Sequence, residues 1–306
     1  MRRGASRFGA RLLEVLTRRR QFAALNERID GLAGELHRVI DILQLLYDDE
    51  PGNRRRLAEL RQKPDYARAF VEPEPLVSVV IPTYTNWEQL RDRAIPSVLA
   101  QTYQNFEIVV VGDAAPPRTE QAIAEIADER IVYENLTIRG PYPTNDYDRW
   151  NVSGVPPFNA GLQRARGLWI APFADDDALR PTALESMIGV VQRERYELCY
   201  GKLNCILADG REVELGAFPP AHGVVGLQGS DFHGDLRFFG QELADALFGQ
   251  PNDWSMIRRM MRAGVRIGFL PKVVCDYYPT SNPRYVFDPE LNMRRHAAVQ
   301  ADKIDA

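Results

Sequence analysis

Four short apolar runs, at residues 77–81, 106–111, 131–134 and 168–173, constrain this chain most, because they are rich in β-branched residues and largely lack the polar alternation of a half-exposed strand. Such strands are buried on both faces, which requires a mainly parallel sheet with helices on both sides. The intervening stretches supply them: 87–101 and 115–127 have helical patterning, and Asn159 is placed to cap a third helix ending at Gly167. The expected class is α/β. In open sheets of this kind, ligands sit outside the carboxyl ends of the strands. Here those ends carry Pro82-Thr83-Tyr84, Gly112-Asp113 and Asp175-Asp176-Asp177.

Three adjacent carboxylates repel one another, so the triplet calls for a cation, most simply a divalent metal carrying phosphate. Acids also favour helix starts, and a helix-like segment begins near Pro181; that explains any one of the three but not all of them. Beyond Pro181 the pattern changes. Residues 198–207 and 211–215 flank Asp209-Gly210, a hairpin signal, and a Gly-, Pro- and aromatic-rich stretch precedes a helix over 253–263 stopped by Gly264.

The N-terminal quarter follows different rules. Residues 1–20 hold seven arginines against one acid, with Phe8, Leu12, Leu13, Val15 and Leu16 between them: either a basic amphipathic helix for an anionic membrane surface or a solvated terminus. Phe22, Leu25, Ile29, Leu32, Leu36, Val39, Leu43 and Leu46 then alternate steps of three and four. That heptad seam over 21–48 predicts either a coiled coil, hence a homo-oligomer, or one helix packed on the following domain. Residues 49–75, Arg-rich and then Glu72-Pro73-Glu74-Pro75, read as a linker.

A net charge of −4 argues against general nucleic-acid binding, and three cysteines give no disulfide framework. No apolar run is long enough to span a bilayer. The expected location is cytoplasmic, with peripheral contact at the inner membrane face if the basic segment docks.

"VSVVIPTYTN" from Val77, "FEIVVVGDAAP" from Phe106, "FNAGLQRARGLWIAPFADDD" from Phe158 and "NDWSMIRRMMRAGVRIGFLP" from Asn252, in that order, resemble the segments of family-2 glycosyltransferases with the GT-A fold, a Rossmann-like sheet. The resemblance covers roughly residues 76–278, and it implies that 76–177 is the nucleotide-sugar-binding half and 178–306 the acceptor-binding half with the C-terminal tail. It implies a metal-dependent inverting transferase moving a sugar from a nucleotide donor, UDP-sugar favoured, to a saccharide or lipid-linked acceptor in cell-surface polysaccharide or glycoconjugate synthesis. It implies Mn²⁺ or Mg²⁺ at Asp175 and Asp177, with Asp177 the direct ligand, Asp175 supporting the ribose or a metal-bound water, and Asp176 at the donor or structural. Asp113 would accept from the base, and Pro82, Thr83 and Tyr84 would contact base and ribose. Asn159 is a donor ligand or a cap. Asp253 would be the general base, a role that competes with that of a plain acid at a helix start.

The chain departs from the family pattern in two places. Gly112-Asp113-Ala114-Ala115 replaces the usual Asp-Asp-Gly-Ser, and Phe158 replaces an Arg, which Arg139 would offset unless it is simply solvated. The acceptor site is expected within 216–249, with Phe218, Phe232, Phe238, Phe239, Gln228, His222 and His233; the two histidines read as surface residues. Residues 277–284 are either a lid over the diphosphate, with Arg284 as its clamp, or an exposed loop. Two other classes are open: a non-catalytic saccharide or nucleotide binder on the same fold, and a sugar-phosphate nucleotidyltransferase. Against the last, Thr83-Tyr84-Thr85-Asn86 lacks the Gly-rich basic phosphate loop such an enzyme needs.

Overall fold

The structure is a computed structural model that describes residues 3–279 and 288–304. The chain divides into two compact units, Met1–Glu50 and Pro51–Ala306. The first is a single helix, Arg3–Tyr47, on which all eight seam residues from Phe22 to Leu46 are exposed, together with Ile40, Ile42 and Leu45. The arginine side chains of the 1–20 segment lie outside the described residues. Among the described residues, no helix is long and apolar enough to cross a membrane.

The second unit is built on one nine-stranded sheet: β1 (Val77–Thr83), β2 (Phe106–Gly112), β3 (Ile131–Asn135), β4 (Trp169–Pro172), β5 (Ala178–Leu179), β6 (Leu198–Ile206), β7 (Glu212–Leu215), β8 (Ser230–His233) and β9 (Ile267–Tyr277). Their order is β3-β2-β1-β4-β8-β6-β9-β5, with β7 added to β6. The first four are parallel, as the doubly apolar sequences of β1, β2 and β4 require; those three are buried almost throughout, whereas β3, expected to be buried on both faces, stands at the sheet edge with Val132 exposed. β8 runs antiparallel between β4 and β6 and thereby ties the two halves of the sequence into one sheet. The Asp209-Gly210 hairpin forms as expected, pairing β6 with β7.

Helices cover both faces. Helix Val155–Arg164 sits on β1 and β2, where Gly161 admits Val80: a Cβ at Gly161 would stand 2.5 Å from a Val80 methyl. Asn159 lies inside this helix, whose N-cap is Gly154, so it caps nothing. The helical stretch after β1 includes a π turn at Leu90–Ala94 between Trp87–Gln89 and Ile95–Leu99.

Residues 49–75, expected to be a linker, are mostly helical, at Glu50–Arg61 and Pro64–Arg68. Their charge hid a buried face. Leu57, Tyr66 and Phe70 enter the core, and Glu197, fully buried ahead of β6, receives Arg61 at 2.8 and 2.6 Å and the Tyr66 hydroxyl at 2.8 Å. Burial alone would raise the Glu197 pKa; the Arg61 and Arg266 interactions outweigh it and hold the group ionised, below its ordinary value. His233 is buried as well, stacked on Tyr66 at 3.9 Å, rather than at the surface.

Candidate active site

Parallel register brings the strand ends together: Thr83 on β1 lies beside Gly112 on β2, and Val80 beside Pro172 on β4. The chain leaves each strand into the same corner. The Asp113 amide donates to the Thr83 carbonyl at 2.8 Å, and the Thr83 hydroxyl donates to Asp175 Oδ2 at 2.7 Å. Asn86 Nδ2 donates to the other Asp175 oxygen at 3.0 Å. Asp175 therefore has both oxygens engaged within the protein, stapling the end of β1 to the turn after β4. Its pKa is pushed up to about 6, first by burial and then by the neighbouring Asp176.

A cavity of about 270 Å³ opens here, lined by Pro82, Thr83, Tyr84, Asp113 and Asp175 among others. Asp113 Oδ1 accepts the Gly140 amide at 3.0 Å, and Oδ2 lies 3.7 Å from Arg139 Nε. Arg139 is not simply solvated. Its guanidinium carbon lies 4.0 Å from the centre of the Tyr84 ring and 5.4 Å from that of Tyr142. Carboxylate, guanidinium and two aromatic faces in one recess suit a flat ring that carries both donors and acceptors. Phe158 is core, packed with Val80 and Val111, so it does not contribute the charge of the Arg it replaces.

A second cavity of about 320 Å³ shares Ser153 and Ala174 with the first. Its wall carries Asp176 and Asp177 on one side and Asp253, Trp254, His222 and Gln228 on others. The sequence places Asp253 far from the acid triplet; the fold places them around one space. Asp253 sits in the first turn of helix Asn252–Ala263, where it accepts the Trp254 amide at 2.6 Å. Burial pushes its pKa up to about 6, and backbone hydrogen bonds only partly offset that. Asp177 Oδ1 accepts the Tyr278 amide at 2.9 Å, whereas Oδ2 is buried without a partner. Burial and the neighbouring Asp176 raise the Asp177 pKa well above that of an ordinary carboxylate.

Among the described residues, no group of three or more His, Cys, Asp or Glu side chains converges as a metal cage. A divalent cation fits nevertheless. The orphaned Asp177 oxygen is the kind of single carboxylate donor that suffices when phosphate and water fill the remaining positions.

Sequence reasoning missed three supports. Asn86 holds Asp175. Arg93, projected from the π turn, donates to the Asp176 carbonyl at 2.7 Å and lies 3.8 Å from the Tyr278 ring centre. Tyr278 in turn donates its amide to Asp177. Asn86 stands within the first motif, but Arg93 lies in a run of charges with nothing to single it out. Asn159, expected near the donor, instead bonds the backbone of Gln241. Of the expected acceptor residues, Phe232 and Phe239 are core, Phe218 is exposed, and Gln228 and His222 do line the second cavity. Arg284 lies outside the described residues.

Residues 78–143 match the family model described as glycosyl transferase family 2. That segment is a family 2 glycosyl transferase sequence. It covers β1 to β3 and the first cavity's Asp113 and Arg139. The chain is also 31% identical over 146 residues to the succinoglycan biosynthesis protein ExoO of Rhizobium meliloti, covering 47% of this chain and 38% of that one. It is 31% identical over 131 residues to WfgD of Escherichia coli, a UDP-Glc:α-D-GlcNAc-diphosphoundecaprenol β-1,3-glucosyltransferase, covering 43% and 47% respectively. The match thus spans less than half the length of each of these relatives. Among solved structures, S. aureus TarS 1–349 in complex with UDP-GlcNAc superposes with a TM-score of 0.53 at 18% identity, over 69% of this chain and 61% of that one. The family 2 segment thus lies in a GT-A fold, with a long helix preceding it.

Proposed function

We propose that this protein is a metal-dependent, inverting glycosyltransferase that moves a sugar from a nucleotide-sugar donor, a UDP-sugar by preference, to a saccharide or lipid-linked acceptor. The observation that carries this is Asp253, a carboxylate with a pKa near 6 on the wall of the cavity that also holds Asp176 and Asp177. In this reading the nucleotide base lies against Tyr84 and Arg139 with Asp113 accepting its N–H, and Pro82 and Thr83 shape the recess. The diphosphate then crosses Ala174 into the second cavity. Asp253 accepts the proton of the acceptor hydroxyl as that oxygen bonds the anomeric carbon, and the bond from that carbon to the diphosphate breaks on the opposite side. A group titrating near 6 is ionised at neutral pH yet basic enough to take that proton. Mn²⁺ or Mg²⁺ held through Asp177 would supply Lewis-acid stabilisation of the departing nucleoside diphosphate. Asp175 keeps the strand ends in place, and Arg93 steadies the acid turn through Asp176.

The relatives support a place in cell-surface polysaccharide or glycoconjugate synthesis, since the one from Rhizobium meliloti is named for succinoglycan biosynthesis and WfgD for a lipid-diphosphate acceptor. Such acceptors suit a protein at the cytoplasmic face of the inner membrane, with residues 1–20 as the contact. Failure of the full chain to sediment with anionic liposomes at low salt removes that contact. The heptad seam serves self-association: Glu27, Asp30, Arg38 and Asp41 fall outside the a, d, e and g positions, Arg28 and Glu35 occupy g, where opposite charges can pair between helices, and eight apolar side chains stand ready to pair. Light scattering of the full chain with Leu32→Glu and Leu36→Glu should report a smaller species than wild type.

Release of nucleoside diphosphate from a panel of UDP-, GDP- and dTDP-sugars, with Mn²⁺ and with a chelator, tests the central reading. Metal-dependent turnover of one donor is expected. Binding without turnover by any of them would make the protein a nucleotide or saccharide binder instead.

A further inference from the structure

The loop at residues 240–242 touches no reacting group, yet its hydrogen bonds bridge the helix behind the first cavity and the helix that carries Asp253. Asn159, on helix Val155–Arg164, grips Gln241 at two points: its Nδ2 donates to the Gln241 carbonyl at 2.7 Å, and its Oδ1 accepts the Gln241 amide at 2.9 Å. The side chain of Gln241, almost fully buried, points the other way, and its Oε1 accepts from Asn252 Nδ2 at 2.9 Å. Asn252 Nδ2 also donates to the Ser153 carbonyl at 3.1 Å, and its Oδ1 accepts the Asp253 amide at 2.8 Å. Arg259, buried on the same helix as Asp253, closes the far side by donating to the Phe239 carbonyl at 2.8 Å and the Gly240 carbonyl at 3.0 Å.

Gly240 makes this path available. Its φ of +47° lies in the left-handed region, and a Cβ there would stand 3.2 Å from Asn159 Oδ1. The residue after it can therefore present both its amide and its carbonyl to one asparagine side chain. Asn159 and Asn252 are each paired at both ends of the side-chain amide and so have one orientation, and Gln241, its backbone held by the first, offers Oε1 to the second.

We infer that Gln241 is a positioning residue: clamped by Asn159, it sets Asn252 and through it the placement of Asp253 against the acceptor. This rests on Asp253 being the general base. A misplacement of that carboxylate by about 1 Å would slow turnover on the order of 100-fold and leave donor binding untouched, because the donor's contacts lie on other elements.

The test compares Gln241→Met, which keeps the length and the backbone clamp but removes the acceptor for Asn252, in the wild-type and Asp253→Asn backgrounds. The readouts are kcat and donor KM for UDP release from the UDP-sugar that the panel selects, together with Tm. The expected result is a fall in kcat of about 10-fold or more with donor KM within about twofold, and no further loss when the substitution is added to Asp253→Asn. Unchanged kcat in a folded Gln241→Met protein overturns the inference. So does a further fall of similar size in the Asp253→Asn background, which would mark a general structural defect rather than an effect through Asp253. Full turnover by Asp253→Asn alone would instead overturn the general-base reading on which the inference stands.

Discussion

The two cavities differ in how their polar groups are satisfied. In the first, each key group already has a protein partner: Asp175 holds Thr83 and Asn86, and Asp113 holds the Gly140 amide and faces Arg139, which rests on Tyr84. In the second, burial holds the carboxyls of Asp176, Asp177 and Asp253 above the ordinary carboxylate range, as it does Asp175 in the first, but Asp177 also keeps a buried oxygen with no partner. A preorganised surface recognises a ligand by shape and pattern at low cost in reorganisation. A group of under-compensated acids is set for a cation and for proton transfer. Under the proposed function, recognition and chemistry occupy adjoining spaces that share Ser153 and Ala174.

The sharpest way to break this division is Asp253→Asn, which keeps the shape and removes the base. Turnover should fall by about 10²- to 10⁴-fold with donor affinity unchanged, read by steady-state UDP release and by nucleotide titration. For wild type, kcat should decline as pH falls through about 6, because protonated Asp253 cannot accept a proton. Next in size is Asp177→Asn. A fall of roughly 100-fold is expected, together with loss of the extra Tm shift that Mn²⁺ gives to bound UDP; wild-type metal dependence persisting in this variant would remove Asp177 as the ligand.

The same division marks what the sequence could and could not reveal. The strand ends were legible because β1, β2 and β4 are buried on both faces, so their apolar runs stand out and the polar residues that end them are conspicuous. The second cavity is drawn from seven separated stretches, near Trp150, Asp176, Leu203, Leu215, Gly226, Asp253 and Tyr277, and no local pattern encodes their convergence. The acid triplet, the motif around Asn252 and the expected acceptor residues Gln228 and His222 each pointed to one part of it. Residues 50–70 misled for a related reason: Arg61 is spaced like a solvated charge, and the buried Glu197 it serves is 136 residues away. Asn159 likewise has the signature of a cap, and its partner Gln241 lies 82 residues on.

In the first cavity the expected effects are smaller and fall on binding. Tyr84→Ala removes one face of the recess and the support of Arg139, and stacking of a base on an aromatic ring is worth about 1–3 kcal/mol. Donor Kd should rise by roughly 10-fold or more, with kcat at saturating donor within a few-fold of wild type. A kcat loss as deep as that of Asp253→Asn would dissolve the distinction between the two spaces.

The smallest effect on turnover is expected from Asp231, which shares a physical cause with the acids of the second cavity but has no place in it. It lies on β8, almost fully buried with Oδ2 unpartnered, and burial alone pushes its pKa up to about 8. Because the folded-state pKa exceeds the unfolded one, the folded chain holds a proton that the unfolded chain releases above about pH 4. The stability this group contributes is therefore full below about pH 4, declines as pH rises, and is gone above about 8. Asp231→Asn cannot ionise, so its Tm should fall less than that of wild type between pH 5 and 8.5, while UDP release at neutral pH stays the same. Parallel Tm curves would show that the proton on Asp231 carries no stability. Lost turnover would mean that a buried acid outside both cavities still acts on the reaction, and a place in the cavity wall would then no longer separate working acids from structural ones.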